Sequence, residues 1–188
     1  MSLVHPRLIV LTGLLASLGS SGARAQDETD EYRAIPWSQR GSVTQRVAYT
    51  DIRIVYSRPM ARGRTLFGGV VGWGGTWTPG ADSATTLSLS RAIAIDGHLL
   101  PAGRYSIWMV PRADSAWTVI FNARADVLHL PYPGEQFDVL RFEVEPSAGE
   151  YVENLTFDMP TVARNSAVLR FHWGTTVIAL AIEASDEP

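Results

Sequence analysis

Along almost the whole chain after its N-terminal segment, apolar residues recur at every second position and helical spacing is hard to find, which confines the fold to β-structure. Leu140, Phe142 and Val144 alternate with Arg141, Glu143 and Glu145. Leu155, Phe157 and Met159 alternate with Asn154, Thr156 and Asp158, and Leu169, Phe171 and Trp173 with Arg170 and His172. Such runs read as half-buried antiparallel strands. Trp117 to Phe121 and Tyr105 to Val110 add two more, the second apolar on both faces and therefore central in its sheet. Thr176 to Ile182 reads as the last strand, with only Gly174, Thr175 and Thr176 between Trp173 and Val177, so the spacing predicts a closing hairpin that turns near Gly174. A second hairpin is expected at Asp96-Gly97, between Ile93-Ala94-Ile95 and Leu99-Leu100. Leu87, Leu89, Ile93 and Ile95 share a parity into which Arg91 also falls, and a bulge or strand end there would remove the conflict. About eight to ten short strands predict an all-β fold, an antiparallel β-sandwich, with a closed β-barrel as the competing closure.

The first 25 residues have the pattern of a secretory signal peptide: Arg7 in a positive leader, the apolar run Leu8 to Leu18, and Ala23-Arg24-Ala25 at a cleavage point. The apolar run is well short of the about 20 residues that span a bilayer. The expectation is a secreted or periplasmic protein beginning near Gln26, with a flexible arm over 26–41 and a single sandwich domain over 42–184. Removing 25 residues from 188 leaves 163, enough for one domain that buries roughly 70% of its unfolded surface. The chain has no Cys, so its stability in an oxidising compartment must come from packing, for which 46% apolar residues and six Trp are available. All 16 basic residues are Arg, and after cleavage 14 of them face 19 acids for a net charge of −5. That balance disfavours nucleic acid as a partner.

Against this regular background, the stretch from Ile54 to Thr86 gathers arginines, tryptophans and glycines in a segment that neither strand nor helix periodicity explains. Arg58, Arg62 and Arg64 bring guanidinium forks that match carboxylates and phosphates, with Pro59 and Gly63 shaping the backbone between them. Trp73 and Trp77 read either as a platform for a ligand ring or as a plug over the end of the sandwich. Asp82 completes the candidate ligand-binding set. The glycines do not form a phosphate cradle, because neither Lys-Ser nor Lys-Thr follows them. His98, His129 and His172 lack the spacing of a metal site and read as surface residues, so neither a metal nor a cofactor is expected. Asp82, Asp138 and Glu143 are candidate acids or bases only if the fold brings two of them within about 5–9.5 Å. Ser57 has no nucleophile elbow around it.

Several blocks in order carry a resemblance: Tyr56-Ser57-Arg58-Pro59, Gly63-Arg64, Phe67-Gly68-Gly69, Trp77, Gly80-Ala81 and Ala84-Thr85-Thr86, then Leu100 to Ser106, Trp117 to Asn122 and Asp138 to Arg141. Over about residues 43 to 183 the chain resembles the secreted bacterial family catalogued as domain of unknown function 2911. The resemblance implies an exported, mainly β protein and brings no activity with it. Thr78 stands where the family commonly has Arg, and Asp82-Ser83 where Asn-Glu is usual, so a site built on those side chains is altered here.

Together these features predict an exported, non-catalytic protein that binds a small-molecule, carbohydrate or peptide ligand. The alternatives are a carboxylate-dependent hydrolase of an envelope or extracellular substrate, and an interaction module of the cell envelope whose strand edges pair with partners.

Overall fold

A computed structural model describes residues 1 and 37–187; the expected signal peptide and most of the expected arm lie outside the described residues. Among the described residues, ten strands form two antiparallel sheets that face each other as a sandwich, without closing into a barrel. The first strands, β1 (Gln39–Val47) and β2 (Thr50–Arg58), are a hairpin. Gln39, Arg40 and Gly41, placed by sequence in the arm, already pair with Arg58, Ser57 and Tyr56. The first five residues of the Ile54 to Thr86 segment are therefore strand as well.

β3 (Thr86–Leu89) adds to β2, and the chain then crosses to the other sheet as β4 (Ile93–Ile95) and β5 (His98–Leu100). Asp96 and Gly97, both at positive φ, make the expected two-residue turn between them. β6 (Gly103–Val110), β7 (Trp117–Asn122) and β8 (Asp138–Val144) return to the first sheet, whose order is β1-β2-β3-β6-β7-β8. The long strands β9 (Ser147–Val162) and β10 (Ser166–Ala184) complete the second sheet in the order β5-β4-β10-β9.

Between the sheets, alternate residues of every long strand meet in one core: Ile52, Ile54 and Tyr56 from β2, Ile107 and Met109 from β6, Leu155 and Phe157 from β9, and Leu169, Phe171 and Trp173 from β10. β6 is interior in its sheet, as its two apolar faces predict. The reason for the second face is a smaller cluster on the outside, where Trp108, Val110 and Ile120 are covered by Val127 and Tyr132. The loop carrying those two residues, 123–137, is thus pinned to the outer face of β6 and β7.

Two local expectations meet different fates. Arg91 lies between β3 and β4, exposed, where the chain changes sheets, so the strand end removes the parity conflict. Its guanidinium rests over Tyr49 and donates to the Glu187 carbonyl (3.1 Å). Arg91→Leu is therefore expected to change stability by less than about 0.5 kcal/mol in urea unfolding, and a loss of several kcal/mol would indicate a charge network that this geometry lacks.

The closing hairpin at Gly174 does not exist. β10 runs unbroken through that residue, with register shifts against β9 on either side of it. Gly174 adopts φ 61°, and a Cβ there would lie 2.7 Å from Leu66 Cδ1. The glycine serves a bulge and close packing instead of a turn. Gly174→Ala is expected to cost about 1–2 kcal/mol, seen as a lower urea midpoint at unchanged m-value.

Candidate functional site

The connection from β2 to β3 builds one end of the sandwich. Its first residues lie along the outer edge of β9: the Ala61 N–H donates to the Glu153 carbonyl (2.8 Å) and the Leu155 N–H to the Pro59 carbonyl (3.0 Å). Arg62 and Gly63, both at positive φ, then reverse the chain. The Glu153 carboxylate accepts the Arg62 N–H (2.7 Å) and the Tyr151 hydroxyl (2.6 Å), and these two bonds, with that of Tyr151 the stronger influence, hold Glu153 below the usual carboxylate range. Further on, Trp77 exchanges backbone hydrogen bonds with Met109 (2.7 and 2.8 Å), which docks the loop beside β6. Thr78 is buried and donates to the Ile107 carbonyl (2.7 Å) while accepting the Thr85 N–H (3.0 Å). In this chain Thr78 thus closes the loop from within.

An aromatic cluster fills the space beneath. Phe67 is its hub, with ring centroids 4.6 Å from Trp117, 6.0 Å from Trp77 and 6.2 Å from Trp173. Trp77 stacks on Trp173 at 6.1 Å and 17°. The plug reading of the tryptophans therefore describes Trp77 well, whereas Trp73, 6.3 Å from Phe67 and 46% exposed, only half belongs to it.

Two hollows open on this cluster. The first, about 390 Å³, is lined by Arg62, Arg64, Trp77 and Trp173, with Trp37, Met60, Val70 and Leu130 at its apolar margin and His129 among its polar groups. His129 Nδ1 lies 3.0 Å from the Asp82 carbonyl. A carbonyl can only accept, so Nδ1 carries a proton and donates it, which fixes the orientation of the ring at the hollow. The second hollow, about 330 Å³, is lined by Arg64, Phe67, Trp73, Tyr151, Trp173, Thr175 and Thr176. Arg64 and Trp173 belong to both.

Of the residues that sequence singled out, Arg62, Arg64 and Trp77 meet in the first hollow, and Arg64 and Trp73 in the second. Arg58 joins neither. Its Nε and Nη2 donate to the Leu155 carbonyl (3.2 Å) and Thr156 Oγ1 (3.0 Å), so it ties β2 to the other sheet. The Asp82 side chain lines neither hollow; its backbone, at φ 64°, holds His129. Asp138 accepts from Tyr132, Asn122 and Arg141, and Glu143 on β8 pairs at 3.7 Å with Arg112 of the β6–β7 connection. His172 is buried, against the surface position expected for it, because Gly149 of β9 leaves room for its ring. Trp37, His129, Leu130, Tyr151 and Glu153 are additions from structure, and only the Pro-flanked His129-Leu130 carried any local signal of a shaped loop.

Residues 38–182 match a family model described as a protein of unknown function (DUF2911). Neither a curated protein nor a solved structure matches the chain.

Proposed function

Because this chain belongs to the DUF2911 family, whose description carries no activity, its role must be argued from its own site, and we propose that it is an exported binding protein that holds a ligand in the first hollow without transforming it. The observation that carries this reading is the meeting of two arginines, whose guanidinium groups form no ion pair among the described residues, with a floor of stacked tryptophans. Glu153, whose carboxylate feels both arginines, is taken up by Tyr151 and the Arg62 N–H. Arg62 lies over the Trp37 ring at 4.7 Å, which orders its fork at the margin. A concave, largely apolar hollow with a few fixed polar groups is the usual form of a ligand site.

Hydrolysis has less support. It calls for two carboxyl groups facing one cleft, and Asp138 and Glu143 are engaged elsewhere while the Asp82 side chain stands outside both hollows. Export rests on the Arg7 to Ala25 pattern, and N-terminal sequencing of secreted protein should begin near Gln26.

Binding is tested by titrating sugars, peptides and anionic metabolites while following tryptophan fluorescence and thermal midpoint, since Trp77 and Trp173 form the floor and a ligand of the folded state raises its apparent stability. Saturable binding that weakens at least tenfold in Arg62→Ala is the expected outcome. A ligand whose affinity ignores both Arg62→Ala and Arg64→Ala would remove the site from this hollow.

A further inference from the structure

Arg64 is held in an unusual way. Its Nε donates to the Ala61 carbonyl (3.0 Å) and its Nη2 to the Met60 carbonyl (2.7 Å), so one side of the guanidinium is spent on its own loop. Among the described residues, the end-on face formed by Nη1 and the second N–H of Nη2 has no hydrogen-bond partner, and Arg64 has no ion pair with a carboxylate. Backbone carbonyls thus orient a cation whose remaining donors form the fork that a carboxylate accepts from two directions. A fixed fork loses little freedom on binding, which is how preorganisation adds affinity.

The position of this fork defines the ligand further. Arg64 and Trp173 are shared by both hollows, so the charge stands between two recesses that each have an exposed ring: Trp37 (82% exposed) in the first, Trp73 and Tyr151 (56%) in the second. Polar side chains that can pair with hydroxyls accompany them, Thr175 and Thr176 on one side and His129 on the other. The β9 edge nearby is already occupied, since Pro59 and Ala61 bond to Leu155 and Glu153. An extended peptide would therefore find no backbone ladder to join. Rings to stack, hydroxyls to pair and one carboxylate to clamp match a sugar chain better than a peptide.

Resting on the binding role argued above, we propose that the ligand is an acidic oligosaccharide that spans both hollows, with a uronate carboxylate on Arg64 and neighbouring sugar rings against Trp37 and against Trp73 or Tyr151. The clamp gives selectivity for acidic over neutral sugars, and the second hollow gives selectivity for length.

The test uses the full-length secreted protein and calorimetric titration with galacturonate oligomers of two and six units, neutral glucose oligomers of the same lengths, and an acidic hexapeptide. The expected result is that the acidic hexasaccharide binds, that Arg64→Gln weakens it by about ten- to a hundredfold, and that the neutral hexasaccharide is unchanged by that substitution. Thr175→Val, at a residue that lines the second hollow and not the first, should weaken the six-unit oligomer and leave the two-unit one unchanged. Equal binding of acidic and neutral sugars, or binding of the peptide alone, overturns the proposal while leaving a ligand site in the first hollow intact. Sugar binding that is indifferent to both Arg62→Ala and Arg64→Gln overturns the underlying reading as well. All these side chains are exposed, and an unchanged thermal midpoint without ligand shows that the variants fold.

Discussion

Trp173→Ala is expected to lower the stability of this protein by about 3–5 kcal/mol and to abolish ligand binding at both hollows. The side chain is 1% exposed and carries contacts in every direction. It stacks on Trp77, meets Phe67 edge-on at 6.2 Å and 89°, and donates its indole N–H to the Glu153 carbonyl at 3.3 Å. Truncation removes a large apolar surface and leaves a cavity that its neighbours cannot fill, because Trp77 and Phe67 are each held by other rings. It also takes the floor from both recesses and removes one of the two donors to the Glu153 carbonyl, leaving the Ala61 N–H. Urea unfolding supplies the first readout and titration with the acidic hexasaccharide the second. Trp173→Phe should recover most of the stability, since it refills most of the space, and less of the binding, since the smaller ring covers less floor. A loss below about 1 kcal/mol for the alanine variant would show that the aromatic cluster is loosely packed and that the plug is not what holds this end of the sandwich together.

The dependence of both hollows on Trp173 explains what could be read from sequence and what could not. Period-two alternation marked β8, β9 and β10 because each has one face in the core and one in solvent, so burial writes itself directly into residue order. β1 leaves little trace in the sequence because an edge strand needs few inward apolar residues, and only Val43 and Val47 of its nine supply them. Gly174 is ambiguous in sequence because a glycine after a strand serves a turn and a bulge equally well, and Leu66, which packs against it here, is distant in sequence. Within the site, the inward parity of Ile52, Ile54 and Tyr56 extends to Arg58, so its role in joining the sheets was present in the sequence though hidden by the appeal of an arginine cluster. No pattern of neighbours could bring Trp173, His129 and Tyr151 to Arg64, because that meeting is made by sheet pairing and by the loop over 123–137.

Asp138→Ala is expected to cost about 2–4 kcal/mol and to loosen the wall of the first hollow. The Asp138 side chain is 8% exposed and accepts from the Tyr132 hydroxyl at 2.5 Å, from Asn122 Nδ2 at 2.8 Å and from Arg141 at 3.3 Å. Removing it leaves the Tyr132 hydroxyl without its acceptor beneath a covered surface, whereas Arg141 still pairs with Glu135 (2.6 Å) and Asn122 still donates to the Gly134 carbonyl (3.1 Å). The damage should therefore concentrate on Tyr132 and on the loop it anchors against Trp108, the same loop that carries His129 and Leu130 to the cleft. Hydrogen exchange should show faster opening across 123–137 than across β10. The same contact fixes the response to alkali. Burial, then the hydrogen bond to the Asp138 carboxylate, hold the Tyr132 phenol above its ordinary pKa of 10.0. A group whose pKa is raised on folding contributes stability that is fully present below its unfolded value and is lost as pH rises through the folded one. The native protein should thus weaken progressively above about pH 10, and Tyr132→Phe, which has no proton to lose, should flatten that alkaline slope while remaining less stable than the native chain at pH 7. An unchanged slope in Tyr132→Phe would assign the alkaline loss to another phenol and remove Tyr132 from the clamp on this loop.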